Sequence, residues 1–148
     1  MARRLTLAKR GDLPGSTLRL QIPPDPRFAQ TVRSAIVSFA AFHHVADADL
    51  DALLVAIGEA LANAFGHSSS LRDIEIICKV DSDRVVASVI DAGIGCADFP
   101  HGRVPLPDPL AQGGRGIPLM QHFTDIFAVD SLPGNGTVVT LGRYRRSS

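Results

Sequence analysis

The sequence predicts a two-layer α/β sandwich, a mostly antiparallel sheet with helices on one face. Three observations carry that expectation. Hydrophobic periodicity reads in order as strand, helix, helix, strand, strand, loop, helix, strand, strand. Both later pairs of consecutive strands are joined by short turns, so their members must be antiparallel neighbours. Each helical run carries a single apolar stripe, which a single sheet face can bury. The strict strand–helix alternation of a parallel sheet is missing.

The elements follow from local patterns. In "STLRLQIP" the residues Leu18, Leu20 and Ile22 alternate on one face, as in a half-buried strand, and "PPDP" ends it. From Arg27 to His43, Phe28, Val32, Ala35, Ile36 and Phe39 fall at helical spacing. Asp47 or Asp49 can N-cap the next helix, which is expected to run to about Phe65 before "GHSSS" stops it. Its stripe is Leu50, Leu53, Leu54, Ile57, Leu61 and Phe65. Two strands, "DIEIICKV" and "RVVASVID", flank the turn "DSD". Ala92 to Gly114 is rich in Gly and Pro and has no period, and so long a loop is usually functional or mobile. A short helix is expected from Ile117 to about Thr124, with Pro118 tolerated in its first turn. The strands "IFAVDS" and "GTVVTLGRY" close the chain around "LPGNG".

Composition narrows the function classes. The 148 residues make one ordinary domain, 45% of them hydrophobic, with Lys+Arg and Asp+Glu balanced at 15 each. A neutral chain gives no support for binding nucleic acid or a membrane surface. The expected domain spans 16–144, after a basic N-terminal tail over 1–15 that lacks an apolar signal core. No run is long enough to span a bilayer. Cys78 and Cys96 lack metal-like spacing, and a reducing cytoplasm fits them best.

The chemistry concentrates in four stretches. In "GEALANAFGH", Glu59, Asn63 and His67 stand four residues apart, so they share one face of an otherwise apolar helix. For an isolated pair, a solvated helix edge would be the ordinary reading. His67 continues the stripe, yet it equally suits a helix C-terminus, where a cation is favoured. "DAGIG" follows a strand, and there Asp91 is either a turn residue or a ligand. "GGRGIPLM" leads into a helix, a setting in which glycines let backbone approach an anion. "GNGT" leads into the last strand, where Thr137 is either a β-former or a hydroxyl near a ligand. None of these is a P-loop or a Rossmann fingerprint.

Taken in order, E-x-x-x-N, D-x-G-x-G, G-x-G and G-T resemble the GHKL, or Bergerat-fold, ATPases over roughly Ser16 to Tyr144. That resemblance implies ATP and Mg²⁺ as cofactors. Asn63 would hold the Mg²⁺ that bridges the phosphates, and Asp91 would accept a hydrogen bond from the adenine amine. Gly93 and Gly95 would make room for the base. The ATP lid would occupy about 96–113, with Gly114 and Gly116 at its phosphate-binding end. Arg115 would add positive charge or simply be solvated. A Mg²⁺ that keeps most of its waters needs few protein oxygens, and a carboxylate facing the N6 amine favours adenine.

Within that superfamily, "GEALANAFGH", "DAGIG", "GRGIPLMQHFTD" and "GNGTVVTL" are most similar to the bacterial anti-sigma-factor serine kinases. The resemblance implies a homodimer that sequesters a sigma factor and phosphorylates a serine of a STAS-domain antagonist, with Glu59 as general base. Two departures are Gly58 before Glu59 and Pro118 after "GRGI". Three alternatives stay open: a nucleotide-gated binding module without transfer, a positive-acting switch kinase that holds no sigma factor, and a scaffold that binds no nucleotide.

Overall fold

The computed structural model describes residues 16–67, 72–92, 116–131 and 136–145, with the side chains of His67 and Ser131 excepted. The expected tail over 1–15 and the expected lid over 96–113 lie outside the described residues.

Strand β1 (Ser16–Ile22) leads through a 3₁₀ turn at Pro26–Phe28 into α1 (Ala29–Phe42) and then α2 (Asp47–His67). The hairpin β2 (Ile74–Val80) and β3 (Arg84–Asp91) follows. Helix α3 (Gly116–His122) precedes the second hairpin, β4 (Ile126–Ser131) and β5 (Thr137–Tyr144). The described strands form one five-stranded sheet in the order β1-β2-β3-β5-β4, and every neighbouring pair is antiparallel.

Register explains why one face is core. Leu18 stands opposite Cys78, and Cys78 opposite Ala87. Ala87 in turn stands opposite Leu141. All four are buried, while the alternate residues Arg19, Gln21 and Lys79 are exposed on the other face. Helices α1 and α2 supply the second layer with Val32, Ile36, Leu53 and Ile57, all buried. The period of two in the strands thus meets the period of 3.6 in the helices along one apolar seam.

Both ends of the helical layer are closed by local chemistry. Asp25 accepts from Arg27 N at 2.9 Å and caps the 3₁₀ turn. After α1, Val45 N donates to Ala40 O and His44 N to Ala41 O, with His44 at φ 58°. This is the paired reverse bonding of a helix end in which glycine is usual. Arg145 Nη2 donates to the carbonyls of His43 and His44 at 2.9 and 3.0 Å, which holds that turn against the end of β5. Between β2 and β3, Asp81 Oδ1 accepts from the backbones of Asp83 and Arg84, so "DSD" is a turn for a specific reason.

Four boundaries differ from expectation. Helix α1 starts at Ala29, because Pro26–Phe28 is wound as a tighter 3₁₀ turn. Helix α2 continues through Gly66 to His67. A single helix glycine costs only about 1 kcal/mol, too little to end a run anchored by buried Leu61 and Ala64. Asp47 and Asp49 sit inside the first turn of α2, not before it, and Ala46 supplies the first carbonyl, to Leu50 N at 3.0 Å. Helix α3 ends at His122, where Thr124 Oγ1 turns back to donate to Met120 O at 2.6 Å.

Candidate functional site

Side-chain direction along β3 and β5 places two candidate residues. Val85, Ala87 and Val89 point into the helical layer, so Asp91 at the end of the same alternation points there too. Thr137 stands opposite Asp91 in register and shares the inward alternation of Val139 and Leu141. Asp91 is half-buried and Thr137 buried. A neutral hydroxyl and a carboxylate therefore lie side by side at one end of the core face.

The length of α2 brings its polar stripe to the same end. Near its start, Asp49 meets Arg143 of β5 at 3.0 Å. From Asp49 to Asn63 the helix rises about 21 Å. From Arg143 back to Thr137, β5 covers about 20 Å. Measured from that contact, Asn63 along the helix and Thr137 along the strand lie equally far, so a helix aligned with the strand would carry Glu59 and Asn63 toward the Asp91–Thr137 end. Both are half-buried beside the apolar stripe of α2.

Helix α3 closes on that stripe at Gly116. A methyl group there would stand 3.3 Å from Asn63 Nδ2, 3.6 Å from Asn63 Oδ1 and 3.7 Å from Glu59 Oε2. The start of α3 thus faces both polar groups, with no more than the space of a methyl group between. Pro118, Met120 and Gln121 on the same helix are buried.

A second glycine shapes the strand side. Gly136 has φ +86°, and a methyl group there would collide with the carbonyl oxygen of Asp91 and stand 3.1 Å from Ala92 Cα. Only glycine fits this backbone crossing. The motif "GNGT" pointed to the stretch, but the position of Gly136 against Asp91 depends on a register that no local pattern reveals.

Among the sequence candidates, the structure brings Glu59, Asn63 and Gly116 together and sets Asp91 beside Thr137. His67 is the last residue of α2, and its side chain lies outside what is described. Gly93, Gly95, Gly114 and Arg115 also lie outside the described residues.

The donor set suits a magnesium nucleotide. No three His, Cys, Asp or Glu side chains group as a metal site among the described residues. A cation that takes its ligands from phosphates, water and one side-chain amide asks for no such group. Asn63 offers that amide oxygen, Asp91 an acceptor for an amine, and the two glycines a floor without side chains.

A carboxylate at the end of the central strand, a helix-borne Glu–Asn pair and glycine floors on an antiparallel α/β sandwich suit a nucleotide-binding ATPase fold. The chain belongs to the histidine kinase-like ATPase domain family, whose model matches residues 22–143. Within that family it groups with the anti-sigma F factors. It is 31% identical over 116 residues to the anti-sigma F factor of Clostridium beijerinckii, covering 74% of this chain and 80% of that one. The anti-sigma F factor of a Thermoanaerobacter species is 30% identical over 122 residues, with 79% and 83% covered. The crystal structure of the RsbU and RsbW domains of Rv1364c from Mycobacterium tuberculosis superposes with a TM-score of 0.67 at 20% identity. That likeness, in fold, covers 89% of this chain and 33% of the longer one. No described helix is long and apolar enough to cross a membrane.

Proposed function

We propose that this protein is an anti-sigma factor and ATP-dependent serine kinase. In this reading it sequesters a sigma factor as a homodimer in the cytoplasm and phosphorylates a serine of a STAS-domain antagonist. The observation that carries the reading is that Asn63 and Glu59 both face Gly116, within 3.7 Å of where a methyl group there would stand. It puts a metal-compatible amide and a potential base under one helix start. The relatives named anti-sigma F factor support the partner assignment.

Each residue then has a task. Asp91 accepts from the adenine amine, with Thr137 beside it and Gly136 keeping the backbone close. Asn63 would hold Mg²⁺, which would neutralise phosphate charge. By the same reading Gly114, Arg115 and Gly116 would serve the phosphate end, Gly93 and Gly95 would leave space at the base, and His67 would add a nucleotide contact. Glu59 takes the proton of the partner's serine hydroxyl as its oxygen bonds the γ-phosphorus and the bond to the β–γ bridging oxygen breaks, leaving ADP.

Calorimetry with Mg-ATP and a transfer assay with a STAS-domain substrate test this together. Asn63→Ala should weaken Mg-ATP binding about 10- to 100-fold. Glu59→Ala should keep that binding and slow transfer about 10²- to 10⁴-fold. Transfer by Glu59→Ala at the wild-type rate would remove the base assignment. Partners that exchange between ATP and ADP forms without ever gaining phosphate would make the protein a nucleotide-gated binding module.

A further inference from the structure

Arg143 lies at the opposite end of the core face from Asp91, yet it touches three elements at once. It belongs to β5, where it stands opposite Val85 and so points into the helical layer. Its Nη2 and Nε donate to Asp49 Oδ1 at 3.0 and 3.3 Å, in the first turn of α2. Its Nη1 donates to the carbonyl of Phe123, just past α3, at 3.4 Å. The Asp49 side chain is 1% exposed and that of Arg143 14%.

Helix α3 depends on such ties. It has seven residues, too few to hold a helix by propensity alone. Its C-terminal end is fixed to β5 beyond Arg143 as well: Asp125 N donates to Gly142 O at 2.8 Å, and Tyr144 N donates to Asp125 Oδ2 at 2.9 Å. Its other end is Gly116, on Asn63 and Glu59. A short rigid helix pinned at one end sets the position of the other.

A buried ion pair is a poor source of net stability, because desolvation offsets attraction, and apolar replacement of both partners is often neutral. The value of this one lies in geometry. We propose that Arg143 is a positioning residue: its fork fixes the start of α2 and the end of α3 to the same strand, and so sets where Gly116 rests on Asn63 and Glu59. The inference rests on the nucleotide reading of that site only for its consequence on ATP.

The test pairs D49L/R143M, which removes both charges together, with R143K, which keeps the charge and loses the planar fork. Three readouts are taken: urea stability, Mg-ATP affinity, and two ligand-free probes of α3. The probes are hydrogen exchange at the Met120 and Gln121 amides and the NMR shift of the Asn63 side-chain amide. The double variant should be as stable as wild type, exchange faster in α3 with sheet amides unchanged, and show a displaced Asn63 signal. Its Mg-ATP affinity should fall about three- to tenfold, with R143K between it and wild type. Unchanged α3 exchange and Asn63 signal in a folded variant would overturn the proposal. Should the double variant fail to fold, R143K alone decides by the same criteria. A wild-type protein without Mg-ATP affinity would remove the nucleotide reading, while the ligand-free probes would still judge the role of Arg143.

Discussion

The two ends of the α2–sheet seam are built by different means. At the Asp49–Arg143 end, charged side chains tie backbones together. Arg143 serves Asp49 and the Phe123 carbonyl, and Arg145 serves the carbonyls of Asp81, His43 and His44. At the Asp91 end, the shape comes from absent side chains: Gly136 passes against Asp91, and Gly116 rests on Asn63 and Glu59. The first end is closed by its own partners. The second keeps half-buried polar groups around surfaces that only glycine could leave bare. The anchored end and the candidate ligand end are thus separated by about 20 Å of helix and strand.

The largest predicted effect breaks the anchored end. Asp49→Ala leaves the partly buried Arg143 guanidinium with only the Phe123 carbonyl, at a cost of about 3 kcal/mol, the low end for breaking a buried pair from one side. Urea unfolding should show that loss, with the midpoint shifted and the slope unchanged. Gly136→Ala tests the other end. Its methyl would meet the Asp91 carbonyl at a φ of +86°, a strain of about 1–3 kcal/mol before the backbones shift apart. The smaller stability loss should come with the greater loss of Mg-ATP affinity, because the displaced residue is Asp91 itself. If Asp49→Ala instead impaired binding more, at equal folded fraction, the two ends would not be functionally distinct.

This division also marks how much the sequence could reveal. Strand alternation and helix stripes are local, so β1 to β5 and all three helices were legible to within a few residues. Glu59 and Asn63 were legible because a helix puts them on one face within a single turn. Asp91 and Gly116 were legible only because several motifs stood in order. Asp49 was misread as a helix cap: its partner, Arg143, lies 94 residues away, and no local pattern pairs residues at that distance. Gly136 sat within a quoted motif, but its necessity comes from a crossing with β3 that exists only once β3 and β5 pair. Local signals therefore pointed to the candidate residues and missed what ties the elements that carry them.

The smallest predicted effect has the opposite sign. Gly58 lies mid-helix in α2, next to Glu59, where a methyl group would meet nothing within 4 Å and would face an open apolar groove beside Pro26, Ala29 and Ala62. No positive φ or close internal approach requires glycine there, in contrast to Gly136. Gly58→Ala should therefore stabilise the fold by about 0.5–1 kcal/mol through reduced freedom of the unfolded chain and better helix propensity. Thermal unfolding should show a rise of a few degrees, with Mg-ATP affinity unchanged because Glu59 and Asn63 keep their side of the helix. A destabilised Gly58→Ala would mean that α2 needs local give beside Glu59. The ligand end would then depend on backbone freedom in the helix as well as on the two glycines that floor it.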